Sequence, residues 1–171
     1  MKRLIVAISL VLALPLSVMA ADGSKIGSVD IQKVLSQSDA GKDAKDQLMQ
    51  KASKYEAEKA AKEAELLKLK GELESQGTAL LNEAARGAKD RDYQKGMKDY
   101  QRFLKDAQDD LQLKNAEYTN KILDEIGKVV QEFGRKSGYT AIFSRETMVY
   151  VDPTADVTDA VLKAFNESRK K

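Results

Sequence analysis

The sequence has no cysteine, no histidine and no tryptophan, and only two prolines among 171 residues. Without cysteine there is no disulfide framework, no thiol nucleophile and no lipid attachment point behind a leader. Without histidine the commonest general base is missing, and with both residues absent so are the usual metal ligands. Aromatic residues make up 6% of the chain, too few for one large core. No glycine-rich phosphate loop or paired metal-carboxylate motif appears. Asp109-Asp110 and the other carboxylates are scattered among lysines on what reads as solvated helix surface. The chain is therefore read as no enzyme, with no cofactor and no metal. A hydrolase built from Ser, Lys, Asp and Tyr alone would need a concave polar cluster that nothing in the pattern nominates.

What is present begins with a leader. Lys2 and Arg3 precede an apolar run from Leu4 to Leu16, and Ser17-Val18-Met19-Ala20-Ala21 supplies small residues for cleavage after Ala20. Residues 1–20 read as a secretory signal peptide; the run is shorter than the 17 to 25 residues of a spanning helix. Removing Lys2 and Arg3 lowers Lys+Arg from 29 to 27 against 27 acidic residues, so the mature chain is formally neutral. Basicity gives no argument for a nucleic-acid partner.

Residues 40–136 contain no proline and are dense in Ala, Leu, Lys, Glu, Asp and Gln, a composition that favours helix nearly throughout. One unbroken helix would be about 145 Å long, so two antiparallel arms of about 65 Å are expected, turning near 82–91 where Ala84-Ala85-Arg86-Gly87 interrupts the apolar spacing. Leu48, Ala52, Tyr55, Leu66, Leu69, Leu73 and Leu80 give the first arm a seam, broken by Lys59, Lys62 and Gln76. Tyr93, Met97, Tyr100, Leu104, Ala107, Leu111, Lys114 and Tyr118 give the second arm its seam, with Phe103 and Leu113 off the line. Ile122, Ile126, Val129 and Phe133 continue it with an extra step of four, as a stutter does. Polar seam positions cost stability and fix register. Gly71, Gly77 and Gly96 would let the arms flex, each costing about 1 kcal/mol relative to alanine.

The flanks read as a small body, 25–39 and 137–168. Ile26 and Val29 sit in a short strand; Asp30 or Ser28 can cap a helix through Leu35, and Ser38 or Asp39 can cap the first arm. The second arm ends at Arg135-Lys136-Ser137-Gly138, where cations suit a helix C-terminus and Gly138 can turn left-handed. Tyr139–Ser144 and Thr147–Asp152 read as a strand pair around Arg145-Glu146, and Asp156 as the cap of a closing amphipathic helix over Val157–Phe165. The fold class is α+β: three strands can meet at the hairpin's base, with edges that need cover. Joining them between copies would close the sheet and bury its apolar faces.

Around the tip, Arg86, Lys89, Arg91, Lys95, Lys98, Arg102 and Lys105 outnumber Asp90, Asp92 and Asp99. This excess suits weak contact with an anionic membrane surface or acidic clients.

Taken together, the leader, the Lys25-Ile26-Gly27-Ser28-Val29-Asp30 strand, the hairpin and the Val149-Tyr150-Val151-Asp152 ending resemble the Skp/OmpH family of periplasmic chaperones. The strongest local match runs from Tyr139 to Phe165. The resemblance implies a periplasmic homotrimer with a central strand barrel and three helical tentacles around a cavity. It implies an ATP-independent holdase that keeps unfolded outer-membrane β-barrel proteins from aggregating and delivers them to the outer-membrane insertion machinery. On that reading Ile26, Val29, Ile142, Phe143, Met148, Val149, Tyr150 and Val151 belong to the trimer body. Leu66, Leu67, Leu73, Leu80, Met97, Tyr100 and Phe103 are the candidates for client contact. The neutral mature charge departs from the basic character of familiar members, and no lipopolysaccharide motif carries over. The alternative is a structural or adaptor coiled coil of the envelope that binds one folded partner through a narrow seam.

Overall fold

The structure, a computed structural model, describes residues 24–75 and 83–170. The leader and the candidates Leu80 and Gly77 lie outside the described residues. In chain order come strand β1 (Ile26–Val29), helix α1 (Ile31–Gln37), the long helices α2 (Asp39–Glu74) and α3 (Glu83–Lys136), strand β2 (Ala141–Ser144) and helix α4 (Thr158–Ser168). The two long helices have 36 and 54 residues, about 54 and 81 Å.

Local chemistry sets the boundaries. Asp30 caps α1, its carboxylate accepting the Lys33 N–H at 2.7 Å, and Ser38 caps α2, its hydroxyl accepting the Gly41 N–H at 3.1 Å. Helix α3 closes with Arg135 and Lys136 in its last turn and Gly138 at φ +69. The Tyr139 N–H donates to the Gly134 carbonyl at 2.9 Å and the Gly138 N–H to that of Arg135, which is the glycine-terminated cap expected there.

Strands β1 and β2 pair in parallel, Ile26 opposite Ala141 and Val29 opposite Ser144, with the entire hairpin as their crossover. On β1's other edge, Ser28 bridges Asp156 and accepts the Val157 N–H at 2.8 Å. The two-stranded sheet is open. The expected third strand over Thr147–Asp152 is not formed. A 3-10 turn over Arg145–Thr147 takes the place of the hairpin turn, held by Thr147 Oγ1 donating to the Ser144 carbonyl at 2.7 Å. That turn carries the chain away from β2 instead of folding it back.

The turn of the hairpin also differs from expectation. Residues 83–91 are helical, so Gly87 lies inside α3. Ala, Arg and Lys are strong helix formers, and one glycine costs too little to break so long a helix. The cross-arm contacts fix the register: Gln47–Tyr118, Tyr55–Asp110, Glu63–Tyr100 and Glu72–Lys89 have residue numbers summing to between 161 and 165. Pairing about Gly87 would require sums of about 174, one to two heptads out of step.

The core lies where β1, α1 and α4 pack on the last turns of α3. Val29, Val34, Ala40, Ile122, Ile126, Val157, Val161 and Phe165 are buried there, flanked by Phe133 stacked on Tyr139 at 5.9 Å. Helix α4 runs beyond Phe165 to Ser168, and the Asp156 carboxylate receives the first of its N–H groups, that of Thr158, at 2.9 Å.

Candidate functional site

Beyond the body, the arms are joined largely by polar contacts. Asp110 accepts from the Tyr55 hydroxyl at 2.8 Å and faces the Lys51 ammonium at 2.6 Å. Tyr100 donates to Glu63 at 2.5 Å, Tyr118 to Gln47 at 3.0 Å, and Lys89 to Glu72 at 2.6 Å. Lys51 and then Tyr55 hold the Asp110 carboxyl below its usual range, and Lys89 does the same for Glu72. Their carboxylate partners push Tyr55 and Tyr100 upward. Of the expected polar interruptions, Lys59 and Lys62 pair with Glu56 and Glu58 of their own helix, Lys62 also reaching a ring of the other arm, and Gln76 lies outside the described residues.

Phe103, expected off the seam, lies in it. Its ring meets Tyr55 edge-on at 6.0 Å, with the Lys62 ammonium 5.3 Å from its centre. Leu104, expected in the seam, is exposed. Lys62 explains the exchange: an ammonium at an interior position is accommodated by an aromatic face, not by a leucine. Gly96, expected to give flexibility, is instead a close-approach point, since a Cβ there would come within 3.0 Å of Leu66 and 3.6 Å of Leu69. At Gly71 a Cβ would meet open space, so no close approach requires glycine there.

The hairpin has two unlike faces. In a pair of antiparallel helices, the residue one step after a seam residue turns towards the same side of the pair on both helices, and the residue one step before turns to the other side. On α3 the half-buried seam positions include Tyr93, Met97, Tyr100, Phe103, Ala107, Asp110, Lys114 and Tyr118. Apart from Met97, which precedes Lys98 and follows Gly96, their followers are Gln94, Gln101, Leu104, Gln108, Leu111, Asn115 and Thr119, none of them charged. Their predecessors, Met97 again apart, are Asp92, Asp99, Arg102, Asp106, Asp109, Leu113 and Glu117, all charged but one. Helix α2 adds exposed Met49 and Leu67 to the side that is uncharged on α3, each one step after a seam leucine and five full turns apart, together with charged Lys45, Glu56, Glu63, Lys70 and Glu74, so the scarcity of charge belongs to the second arm. At the root of this side opens a groove of about 560 Å³ lined by Leu35, Ala44, Leu48, Met49, Ala52, Leu111 and Ile122, with Lys45 as its charged member. The opposite side carries a polar hollow lined by Gln47, Gln50, Lys51, Lys54 and Glu58.

Of the candidates for client contact, Leu67 is 72% exposed on the uncharged side. Leu66, Leu73, Met97, Tyr100 and Phe103 are half-buried, with Leu66 against Gly96, Tyr100 tied to Glu63 and Phe103 in the seam. Met49, Leu104 and the root groove were not singled out from sequence. The signal that could have found them is the unequal charge of the two flanks of the second arm. Among the tip cations, Lys89 is engaged by Glu72, while Arg86, Arg91, Lys95, Lys98, Arg102 and Lys105 are exposed, interleaved with acids. No group of acidic residues that could hold a metal is found among the described residues, nor any helix long and apolar enough to cross a membrane.

The body candidates divide. Val29 is buried in the chain's own core, and Ile142 packs beside Gly27 and Gly134. Met148 and Val151 are half-buried. Ile26, Phe143, Val149 and Tyr150 are exposed, Val149 fully and Tyr150 by 78%.

The model of the family described as outer membrane protein (OmpH-like) matches residues 25–165. Chaperone protein Skp of Yersinia enterocolitica is 26% identical over 163 residues, covering 95% of this chain and 98% of that protein. An uncharacterized protein of Aquifex aeolicus (strain VF5) is 30% identical over 139 residues, covering 81% of this chain and 84% of its own length. A crystal structure described as an OmpH-like outer membrane chaperone of Caulobacter crescentus CB15 shares the fold at a TM-score of 0.79 and 17% identity, over 85% of each chain. The chain belongs to the OmpH-like family.

Proposed function

We propose that this OmpH-like chain is a periplasmic, nucleotide-independent holdase that keeps unfolded outer-membrane β-barrel proteins from aggregating and passes them on for outer-membrane assembly. Family membership supports a chaperone role in outer-membrane protein biogenesis, a non-catalytic one. The observation that carries the finer reading is the inequality of the hairpin's two faces. An unfolded barrel strand alternates apolar and polar side chains. Along the second arm a surface of Leu, Gln, Asn and Thr offers it many weak contacts while presenting few charges to desolvate, and Met49 and Leu67 extend it between charged neighbours on the first arm. The charged opposite flank keeps the arm soluble. Methionine suits varied partners because its side chain is flexible and polarizable.

The cavity follows from assembly. β1 has both edges occupied within the chain, whereas β2 has a free outer edge, and Met148–Val151 carries exposed apolar side chains. Three copies joined through these segments would close the sheet into a barrel and set three hairpins around a central space, uncharged faces inward. The tip cations would add weak attraction to an anionic membrane surface or to acidic clients.

The test is a refolding assay. Mature protein should suppress aggregation of a denatured outer-membrane barrel without nucleotide. Absence of suppression at several-fold excess would contradict the holdase reading. Recovery of one folded partner, in place of many unfolded ones, would favour the adaptor reading.

A further inference from the structure

The segment between the two 3-10 turns, Arg145–Thr147 and Pro153–Ala155, has the most exposed apolar side chains of the body and no strand partner among the described residues. Its two ends have extended backbone, with Met148 at φ −110, ψ 131 and Asp152 at φ −65, ψ 135, and the chain bends at Val149 between them. A solvated four-residue stretch does not hold an outward course unaided, because ordering each residue costs about 1–2 kcal/mol. What fixes it lies at its two ends. Arg145 Nη1 meets Asp156 Oδ2 at 3.1 Å, so an ion pair closes the base of the loop formed by residues 146–155.

Asp156 is also the point at which this loop joins the core. Its Oδ1 accepts the Thr158 N–H at 2.9 Å and the Thr158 hydroxyl at 2.5 Å. The same hydroxyl accepts the Asp30 N–H at 2.9 Å, and the Asp156 backbone bridges Ser28. One carboxylate therefore links the loop, the first turn of α4 and the β1–α1 junction. Asp152 repeats the device at the second turn, accepting from both the N–H and the hydroxyl of Thr154.

We propose that Asp156, through Arg145, is a positioning residue for assembly: the ion pair holds the loop Met148–Val151 outward, so that a second copy of this chain meets an apolar segment already in place. This deepens the assembly reading above and rests on it. A segment held in place lowers the ordering cost at association, which a loop free to collapse onto its own body would raise.

The experiment uses the mature chain and two substitutions that approach the pair from opposite sides. Asp156→Asn keeps an oxygen for Thr158 but removes the charge facing Arg145. Arg145→Gln leaves every Thr158 contact untouched. Sedimentation equilibrium measures the assembly constant, and far-UV circular dichroism with thermal unfolding monitors the subunit. An exposed ion pair is worth about two- to fivefold per copy. With three copies the overall trimer constant should weaken about 10- to 100-fold in either variant and no further in the double variant, with subunit helicity unchanged and Arg145→Lys restoring most of the loss. Wild-type assembly constants in both single variants would overturn the positioning role. If Asp156→Asn fails to fold, Arg145→Gln still decides. A wild-type chain that stays monomeric at micromolar concentration would instead contradict the assembly reading itself, a separate result.

Discussion

The body and the arms of this molecule are built on different principles. The body concentrates the buried hydrophobic residues, from Val29 to Phe165, around the roots of the long helices. Along the arms, from Gly41 to Glu74 on one side and from Glu83 to Lys121 on the other, no described residue is buried. Their partners are tyrosine hydroxyls, carboxylates and ammoniums reaching across a half-exposed seam. Burial of a large apolar side chain contributes about 1.5–3 kcal/mol, while exposed polar pairs contribute little and exchange readily with water. The body is therefore the stable unit, and the arms belong to the low end of the local stability range. In the holdase proposed above, such arms would separate and re-close around chains of different size without disturbing the platform.

The largest expected break in this comparison is at the body. Phe165→Ala, at a position with no solvent exposure, should lose about 3–5 kcal/mol in urea unfolding, whereas Leu69→Ala in the arm should lose about 1 kcal/mol. Equal losses would mean that the arms share one cooperative core with the body. Next in size is client affinity. Leu67→Glu with Leu104→Glu should weaken binding of an unfolded barrel about tenfold without changing helicity, and Leu113→Glu on the charged flank should leave titration curves unmoved. A smaller effect of opposite sign is expected from Gly71→Ala, where a Cβ meets open space. The arm should gain about 0.5–1 kcal/mol, read as a higher thermal midpoint of arm-specific signals.

The smallest effect is a pH dependence. The Asp110 and Glu72 carboxyls lie below their usual range because of Lys51 with Tyr55 and of Lys89 respectively. A depressed carboxyl contributes stability present above its unfolded value and lost as pH falls through the folded one. The seam should loosen below about pH 4. Tyr55 and Tyr100 are displaced upward by their carboxylate partners, so their contribution persists through neutral pH and fails above about pH 10. A pair of spin labels across the arms should report broader distances at both limits while the body's core signals stay unchanged.

The hairpin, the caps at Asp30 and Ser38 and the left-handed Gly138 were legible in the sequence because each depends on local chemistry: composition, a side-chain acceptor, a missing Cβ. Three features were not. The turn was misplaced because a lapse in apolar spacing around Gly87 is not a helix break when the residues remain good helix formers. The third strand of the body was expected from the β-branched and aromatic run Thr147–Asp152, yet strand propensity has no force without a partner edge, and within one chain the 3-10 turn at Arg145 removes it. Phe103 and Leu104 exchanged roles because adjacent positions differ by only 100° on a helix, and the lysine facing them chose between an aromatic ring and an aliphatic chain. The two-sidedness of the arm was present in the sequence all along. It emerges only once the half-buried positions define which neighbours flank the seam.

Placing a photoreactive residue in turn at Met49, Leu67 and Leu104 and, on the other flank, at Lys54, Arg102 and Asp106 tests the two-sided arm most directly. Mature protein carrying each probe is irradiated with a denatured outer-membrane barrel protein. Crosslinks to the client concentrated at the first three positions are the predicted result. Equal crosslinking from both flanks, or a preference for the charged one, would contradict an arm that holds its client on one face.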